Sequence, residues 1–250
     1  MSGALKYETY NIHLDKFTFT LNKDRNEIIS GGDDMTIKLF DFASRTTKDI
    51  IDVSEEVMAI SFGCGKLAYG QGSKLQMVDI DQSQSDSKFE VSSTILLTAF
   101  NSNVKKIVFN EKLNLLISFS EDDDIHIINL NSLDVFKYKS NHEGSLKNMR
   151  VSPKGEFLIT TGCDGFMSIY EFNQEDVGKI QNKKRIKISQ KLTLESAQSL
   201  DIDINEHNLC LIGGSILLKT IFLSTSFSAD NFCVIPENSI SHKDDINFVK

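Results

Sequence analysis

The chain has 250 residues, of which 40% are hydrophobic and 25% are charged, and this composition excludes a wholly disordered protein. The formal net charge of −8 excludes binding to a polyanion through general surface charge, so any nucleic-acid contact must use a local basic patch. The four cysteines lack zinc-binding spacing, and neither a signal peptide nor a run of roughly 18 apolar residues is present, so we predict an intracellular protein with reduced thiols.

Four apolar hexapeptides recur along the chain, each with an acidic residue or asparagine at its fifth position. They span residues 37–42, 75–80, 125–130 and 167–172. Their spacing of about 40 to 50 residues brackets the period of a propeller blade, roughly 40–45 residues. The segments 27–34, 115–123 and 157–165 each lead from an apolar run into a small-residue turn, and they precede three of the hexapeptides. We therefore predict a repeat of short strands joined by tight turns.

A single small sheet cannot bury both of its faces, so such repeats must pack face to face around an axis. We predict an all-β fold, a β-propeller of four-stranded antiparallel blades that forms one domain over residues 1–250. The blades are predicted to end near residues 42, 80, 130, 172 and 223. Residues 240–250 repeat the start of the blade at His142 and are predicted to open a further blade, which leaves the ring incomplete within this chain.

Residues 161–170 resemble the WD-repeat signature, with Tyr170 where tryptophan usually stands. This resemblance implies a WD40-type propeller and a structural tetrad of histidine, serine or threonine, aspartate and the aromatic residue. Carried over residue by residue, the tetrad is His142, Thr161, Asp164 and Tyr170. A hydrogen-bonded chain of this kind would hold two strands and a loop together. The other blades lack a hydrogen-bonding aromatic residue, so packing is expected to hold them; the residues at that position are Phe40, Val78 and Ile128.

The order and spacing of the blades over residues 14–172 resemble the N-terminal propeller of the acidic nucleoplasmic DNA-binding (chromosome transmission fidelity) family of replisome adaptors. That resemblance implies a nuclear, non-catalytic adaptor whose partners are replication proteins, with DNA contact as a second property. The individual motifs are general WD40 motifs, so a second interpretation stays open. It is a scaffold of another complex, such as a ubiquitin-ligase receptor or a ribosome-assembly factor.

A basic stretch follows the fourth hexapeptide, over residues 178–191. A basic segment that projects from a propeller could neutralise phosphates and bind DNA in a salt-sensitive way. The candidate contact residues are Lys179, Lys183, Lys184, Arg185, Lys187 and Lys191. The alternative is a solvated connector that leads into a strand.

The search for catalytic and cofactor motifs finds no phosphate-binding loop, nucleophile elbow or metalloprotease pair. Gly70 and Gly72 are predicted to lie at a hairpin, and the acidic run 121–124 is predicted to be a solvated turn, because it lacks the spacing of a calcium loop. We predict no catalytic residue, cofactor, metal, membrane contact or small-molecule substrate.

Overall fold

The computed structural model describes residue 13 and residues 16–80, 91–173 and 176–187, together with the backbone of five short strands between residues 201 and 241. These residues contain no helix and form five sheets, which we name A to E in chain order. The prediction of an all-β fold is confirmed.

The strands follow one another within each sheet. Sheet A contains β1 (Phe17–Asn22), β2 (Glu27–Gly32), β3 (Thr36–Asp41) and β4 (Thr46–Asp52). Sheet B contains β5 (Val57–Gly63), β6 (Lys66–Gln71), β7 (Lys74–Ile80) and β8 (Val91–Ala99). Sheet C contains β9 (Val104–Asn110), β10 (Leu115–Ser120), β11 (Asp124–Asn129) and β12 (Val135–Lys139). Sheet D contains β13 (Leu146–Val151), β14 (Phe157–Gly162), β15 (Phe166–Phe172) and β16 (Ile180–Lys187). Sheet E contains β17 (Asp201–Ile204), β18 (Leu209–Gly214), β19 (Leu217–Phe222), β20 (Cys233–Val234) and β21 (Ile240–Ser241).

The four predicted hexapeptides coincide with the third strands β3, β7, β11 and β15. The middle strands are almost continuously apolar because both of their faces are covered; every residue of β10 is buried. The turn between β6 and β7 contains Gly72, whose φ of 52° lies in the left-handed region that glycine adopts without strain, whereas Gly70 lies within β6. The predicted hairpin is therefore present at that point.

The chain divides into two compact units, residues 1–107 and 108–250, with the boundary inside β9. In the first unit an apolar cluster joins sheets A and B, and it includes Ile29, Ile37, Leu39, Val57 and Tyr69. In the second unit a cluster joins sheets C and D, and it includes Leu115, Ile117, Met149, Leu158 and Tyr170. Packing of one sheet face on the next thus supplies the core of each unit.

The further blade predicted over residues 240–250 stays a prediction, because only its first two residues are described. Ile240 and Ser241 pair with Leu218 and Leu217 of β19, so these two residues belong to sheet E. The reason is that β20 covers only the far end of β19, at Ile221 and Phe222, which leaves the near end to pair with a second short segment. Residues 242–250 lie outside the described residues.

Most of the described part of the basic stretch lies in a strand, which is nearer to the predicted connector that leads into a strand than to a projecting segment. Residues 180–187 form β16, the fourth strand of sheet D, and pair with β15 along its length. An irregularity in the register occurs between the partners of Ile169 and Tyr170. Lysine is common on such edge strands because its charge discourages pairing with other chains.

Candidate functional site

A hydrogen-bonded network lies at the turn between β14 and β15. The Nδ1 atom of His142, in the loop before β13, is 3.0 Å from Oδ1 of Asp164 and 3.1 Å from Oδ2. Because a carboxylate only accepts hydrogen bonds, Nδ1 carries the proton and donates it, which leaves Nε2 as an acceptor in the neutral ring. The His142 side chain is completely buried. The pair therefore fastens the loop before β13 to the turn between β14 and β15.

The hydroxyl partner of the imidazole is Thr160, whose Oγ1 lies 2.9 Å from Nε2 of His142. The predicted partner, Thr161, is wrong by one residue. Adjacent residues of a strand point to opposite faces, and Thr161 pairs with Met167 while Thr160 pairs with Ser168. Among the described atoms, the buried Thr161 hydroxyl has no hydrogen-bond partner.

The aromatic member of the predicted tetrad is Tyr170, which lies on β15 and is buried. Its hydroxyl accepts a hydrogen bond of 3.1 Å from the backbone N–H of Asn141, the residue before His142. Burial raises the pKa of Tyr170, and its hydrogen bonds with Asn141 and Thr160 partly oppose this shift. Tyr170 stands where the WD-repeat signature has tryptophan, and its hydroxyl bonds to the loop that contains His142.

The carboxylate of Asp164 collects donors from several elements. The backbone N–H groups of Glu143 and Phe166 each donate to it at 3.0 Å, and the guanidinium of Arg185 donates at 2.7 Å. Burial alone would raise the pKa of Asp164, but the hydrogen bonds from His142, Phe166 and Glu143 outweigh burial and hold the pKa below its ordinary value. Asp164 is therefore an anion that organises the turn.

Arg185 connects the fourth strand of the sheet to this network. Its guanidinium also donates to Oε1 of Glu143 at 3.2 Å and lies 4.2 Å from the centre of the Phe166 ring. The planar guanidinium can bridge two carboxylates and stack on a ring, which an ammonium group cannot do. No sequence pattern indicates this role of Arg185, because its partners are about 20 to 40 residues away along the chain.

A second network of the same form lies in sheet A. Nδ1 of His13 is 2.8 Å from Oδ1 of Asp34, and Nε2 is 2.9 Å from Oγ of Ser30. Thr36 Oγ1 donates to the same carboxylate at 2.8 Å, and Lys38 lies 3.1 Å from it. Burial opposes ionisation, yet the hydrogen bonds from His13, Thr36 and Lys38 lower the pKa of Asp34 to about 2.

This second network was not predicted from the sequence, although the spacing of its residues is a signal. The histidine and aspartate are 21 residues apart in sheet A and 22 in sheet D, and the histidine and hydroxyl residue are 17 and 18 apart. Phe40 stands at the position of Tyr170 and cannot hydrogen-bond, which led to the prediction that packing alone holds this sheet. The histidine and aspartate are present without the polar aromatic residue.

Both networks contain a hydroxyl, an imidazole and a carboxylate in a row, which are the groups of a hydrolytic triad. Their position argues against that chemistry. Thr160 and the His142 side chain are fully buried, and Ser30 is 5% exposed beside a fully buried His13 side chain. A nucleophile must reach a bound substrate, so these arrangements serve to connect strands and loops.

Parts of the chain are similar to known proteins. Residues 8–41 and 133–171, which contain the two networks, match the family described as WD domain, G-beta repeat. Over 127 residues the chain is 24% identical to an uncharacterized WD repeat-containing protein of Acanthamoeba polyphaga mimivirus, across 48% of this chain and 95% of the viral protein. The crystal structure of the Myceliophteria thermophila Cps50 (Swd1) β-propeller domain is similar, with a TM-score of 0.66 and 12% identity, across 90% of this chain and 70% of that chain. The fold is a WD40-type β-propeller.

The five sheets are accordingly blades of the propeller. The turn between the second and third strands of blade C is held by polar contacts as well as by packing. Oδ1 of Asp123 accepts a hydrogen bond of 2.6 Å from the backbone N–H of Leu146, the first residue of blade D. Asp124 pairs with Lys139 at 2.6 Å, and Asp122 accepts a hydrogen bond from Ser120. The acidic run 121–124 thus holds a blade turn.

The residues predicted to contact DNA are distributed over the outer strand of blade D and its flanks. Arg185 pairs with Asp164 and Glu143, and Lys179 pairs with Asp176; their contact with DNA stays a prediction. The strand β16 contains Lys183, Lys184 and Lys187, and the structure describes only the backbone of these three residues. Lys191 also lies outside the described residues.

Across the described ranges, no three side chains of His, Cys, Asp or Glu come together as a metal site requires. None of the segments that the structure describes is a helix long and apolar enough to cross a membrane.

Proposed function

We propose that this propeller is a non-catalytic adaptor that binds other proteins through the ends of its blades. The observation that carries the proposal is that both hydroxyl–imidazole–carboxylate rows are buried. These groups resemble a catalytic triad, but in this position they stabilise the structure. Their task is to fix the turns and loops at one blade end, and fixed loops on a rigid scaffold are where binding residues concentrate. The network end of blade D carries the exposed residues Asn141, Glu143 and Ser145 in the loop before β13.

The experiment compares two positions at opposite ends of β12. A photo-cross-linking amino acid replaces Asn141, next to the network, or Ser132, in the turn at the other end; both residues are exposed. A partner protein cross-linked from position 141 and not from position 132 would support the proposal. Equal cross-linking from both positions, or none from either, would contradict it.

The finer proposal is that the partners are proteins of the replication machinery and that the adaptor works in the nucleus. Its support is the order and spacing of the blades over residues 14–172, which resemble those of the replisome adaptor family. Affinity purification of the tagged protein from replicating cells at two salt concentrations tests it, together with imaging of a fluorescent fusion. Helicase and primase–polymerase subunits in the eluate would agree with the proposal. Ubiquitin-ligase or ribosome-assembly subunits in their place would favour the alternative scaffold.

DNA contact is a further part of this proposal, and the structure changes how it should be tested. A triple substitution of Lys183, Lys184 and Arg185 would damage the Asp164 network as well as the charge of the strand. The double variant Lys183→Ala/Lys184→Ala keeps that network and removes only two basic residues of β16. If these lysines neutralise phosphates, DNA affinity falls and its dependence on salt becomes weaker. Unchanged affinity and an unchanged salt slope would exclude the patch.

A further inference from the structure

The fourth strand of blade D contains a β-bulge. Ile169 of β15 pairs with Lys184. The next residue of β15, Tyr170, pairs with Asn182, so Lys183 is an extra residue in β16. In a bulge two residues of one strand lie opposite one residue of its partner, and the register beyond the bulge is shifted by one position. The place of the bulge therefore decides which residue of β16 lies beside the network at the end of this blade.

In the observed register that residue is Arg185, which pairs with Ser168. Its guanidinium donates to Asp164 at 2.7 Å and to Glu143 at 3.2 Å. It also lies 4.2 Å from the centre of the Phe166 ring. These contacts suit a planar fork of donors, whereas the ammonium group of a lysine is a point charge that cannot make them together. The contacts of the guanidinium thus favour the bulge at its observed place.

Two other blades carry a bulge of the fourth strand at a different place. In blade A the register shifts between Ile37 and Lys38, the first and second residues of the hexapeptide. In blade B it shifts between Leu75 and Gln76, which are again the first and second residues, and once more after Val78. In blade D the shift lies between the third and fourth residues of the hexapeptide. A bulge after the first residue is therefore compatible with a four-stranded blade of this chain.

Moving the bulge of blade D to that place would change the pairing of residues 183–185 only. Lys184 would then pair with Ser168, and Arg185 would become the extra residue. The pairs on either side of residues 183–185 are the same in both arrangements, so the rest of the sheet keeps its hydrogen bonds. Because residues 183–185 are all basic, a cation stands beside the network in both arrangements.

We propose that β16 is a two-state strand whose bulge moves between Lys183 and Arg185. In the observed state the guanidinium fastens the strand to Asp164 and Glu143. In the second state Lys184 takes the place beside Asp164, and Arg185 is released from both carboxylates. The loop before β13 then loses its bond between Glu143 and the outer strand. The strand is thus a switch that changes how firmly this loop is held, and its effect on partner proteins rests on the function proposed above.

The test exchanges the two basic residues in the full chain. Lys184→Arg/Arg185→Lys keeps the composition, the net charge and the length of β16, and it moves the guanidinium by one residue. If the guanidinium sets the place of the bulge, it stays beside Asp164 and the bulge moves to residue 185. The measurement is the cross-strand contact of Ser168, detected by NMR as a nuclear Overhauser effect between backbone protons. We expect this contact to shift from residue 185 in the wild type to residue 184 in the exchanged variant.

The matched control is Lys184→Ala, which leaves the guanidinium at its position, so the contact of Ser168 should stay with residue 185. If the exchanged chain does not fold, Arg185→Lys replaces it; two lysines then compete, and Ser168 should contact both residue 184 and residue 185. A contact with residue 185 alone in the variant used would overturn the proposal, since the rest of the strand would then set the register. A shift of the contact in the control would overturn it too, as would the loss of both contacts from a folded chain.

This proposal and the proposed function fail separately. The NMR contact of Ser168 is measured without a partner protein, and cross-linking from position 141 in the wild-type register does not require the bulge to move.

Discussion

The carboxylate of Asp164 accepts a hydrogen bond of 2.7 Å from the guanidinium of Arg185, so the fourth strand of blade D is fastened to the turn between its second and third strands. Asp164 also holds His142 in the preceding loop. The Asp164 carboxylate thus joins three parts of blade D: its fourth strand, the turn between its second and third strands, and the loop before its first strand.

Replacing Arg185 with alanine is expected to lower the free energy of unfolding by about 1 to 3 kcal/mol, because it removes charge-assisted hydrogen bonds to Asp164 and Glu143. Urea denaturation measures the change. The matched control is Lys179→Ala, which removes an exposed pair with Asp176 and should cost less than about 1 kcal/mol. Equal losses in the two variants would show that the Arg185 bridge adds nothing beyond a surface ion pair.

Neighbouring threonines on β14 provide a second test. Thr160→Val removes the hydroxyl that bonds Nε2 of the buried His142 imidazole, and we expect a loss of about 1 to 2 kcal/mol. Thr161→Val removes a buried hydroxyl without a described partner and should be neutral or stabilising. Thermal unfolding of both variants under one set of conditions decides the matter. The reverse order of stabilities would restore Thr161 to the tetrad.

Acid unfolding should depend on Asp34. Its pKa is about 2 in the folded chain and 3.8 ordinarily, so the folded state holds the proton less tightly than the unfolded state. The resulting stabilisation is complete above about pH 4 and is lost as the pH falls towards 2, which amounts to about 1 to 2 kcal/mol after solvent screening. In Asp34→Asn the stability curve should be flatter between pH 4 and 2. Asp24→Asn, in the exposed turn after β1, should keep the wild-type slope.

His126 is buried in β11 and should give a pH dependence in a higher range. Burial, followed by the charge of Lys137, lowers the pKa of His126 to about 4 from 6.5, so only the unfolded chain binds the proton between these values. The contribution of His126 to the free energy of unfolding is therefore largest above pH 6.5, and it falls by about 2 to 3 kcal/mol as the pH drops to 4. Denaturation of the wild type and His126→Gln at each pH checks this. A slope as steep in the variant would assign the loss to other groups.

The contact between blades A and B can be tested through its glycine. Gly31→Ala places a methyl group 2.4 Å from Cγ1 of Val57, and we expect a loss of about 2 to 3 kcal/mol because the sheets must move apart. At Gly144 an added Cβ would lie 3.3 Å from Cβ of Cys163, and Gly144→Ala should change stability by less than about 1 kcal/mol. Calorimetry of the two variants compares them; similar melting temperatures would argue against the tight contact.

The sequence alone was sufficient to predict the third strands of blades A to D and several of the strands before them. Each hexapeptide became a third strand, because an apolar run between two turns has few other ways to satisfy its backbone and bury its side chains. The pairing of His142 with Asp164 followed from a resemblance to the WD repeat. His13 was missed since its repeat lacks a polar aromatic residue, although its distance from Asp34 along the chain is almost the same.

The repeat and the all-β class were therefore determined by the sequence, through the chemistry of each segment and its period. The choice of Thr160 over Thr161, and the bond between Arg185 and Asp164, were decided only by tertiary structure. The physical reason is that successive side chains of a strand point to opposite faces, so only one of two adjacent threonines can face the network. A shift of one residue in the strand register would exchange Thr160 and Thr161. Pairing across strands likewise brings β16 to a turn that lies about 20 residues earlier in the chain.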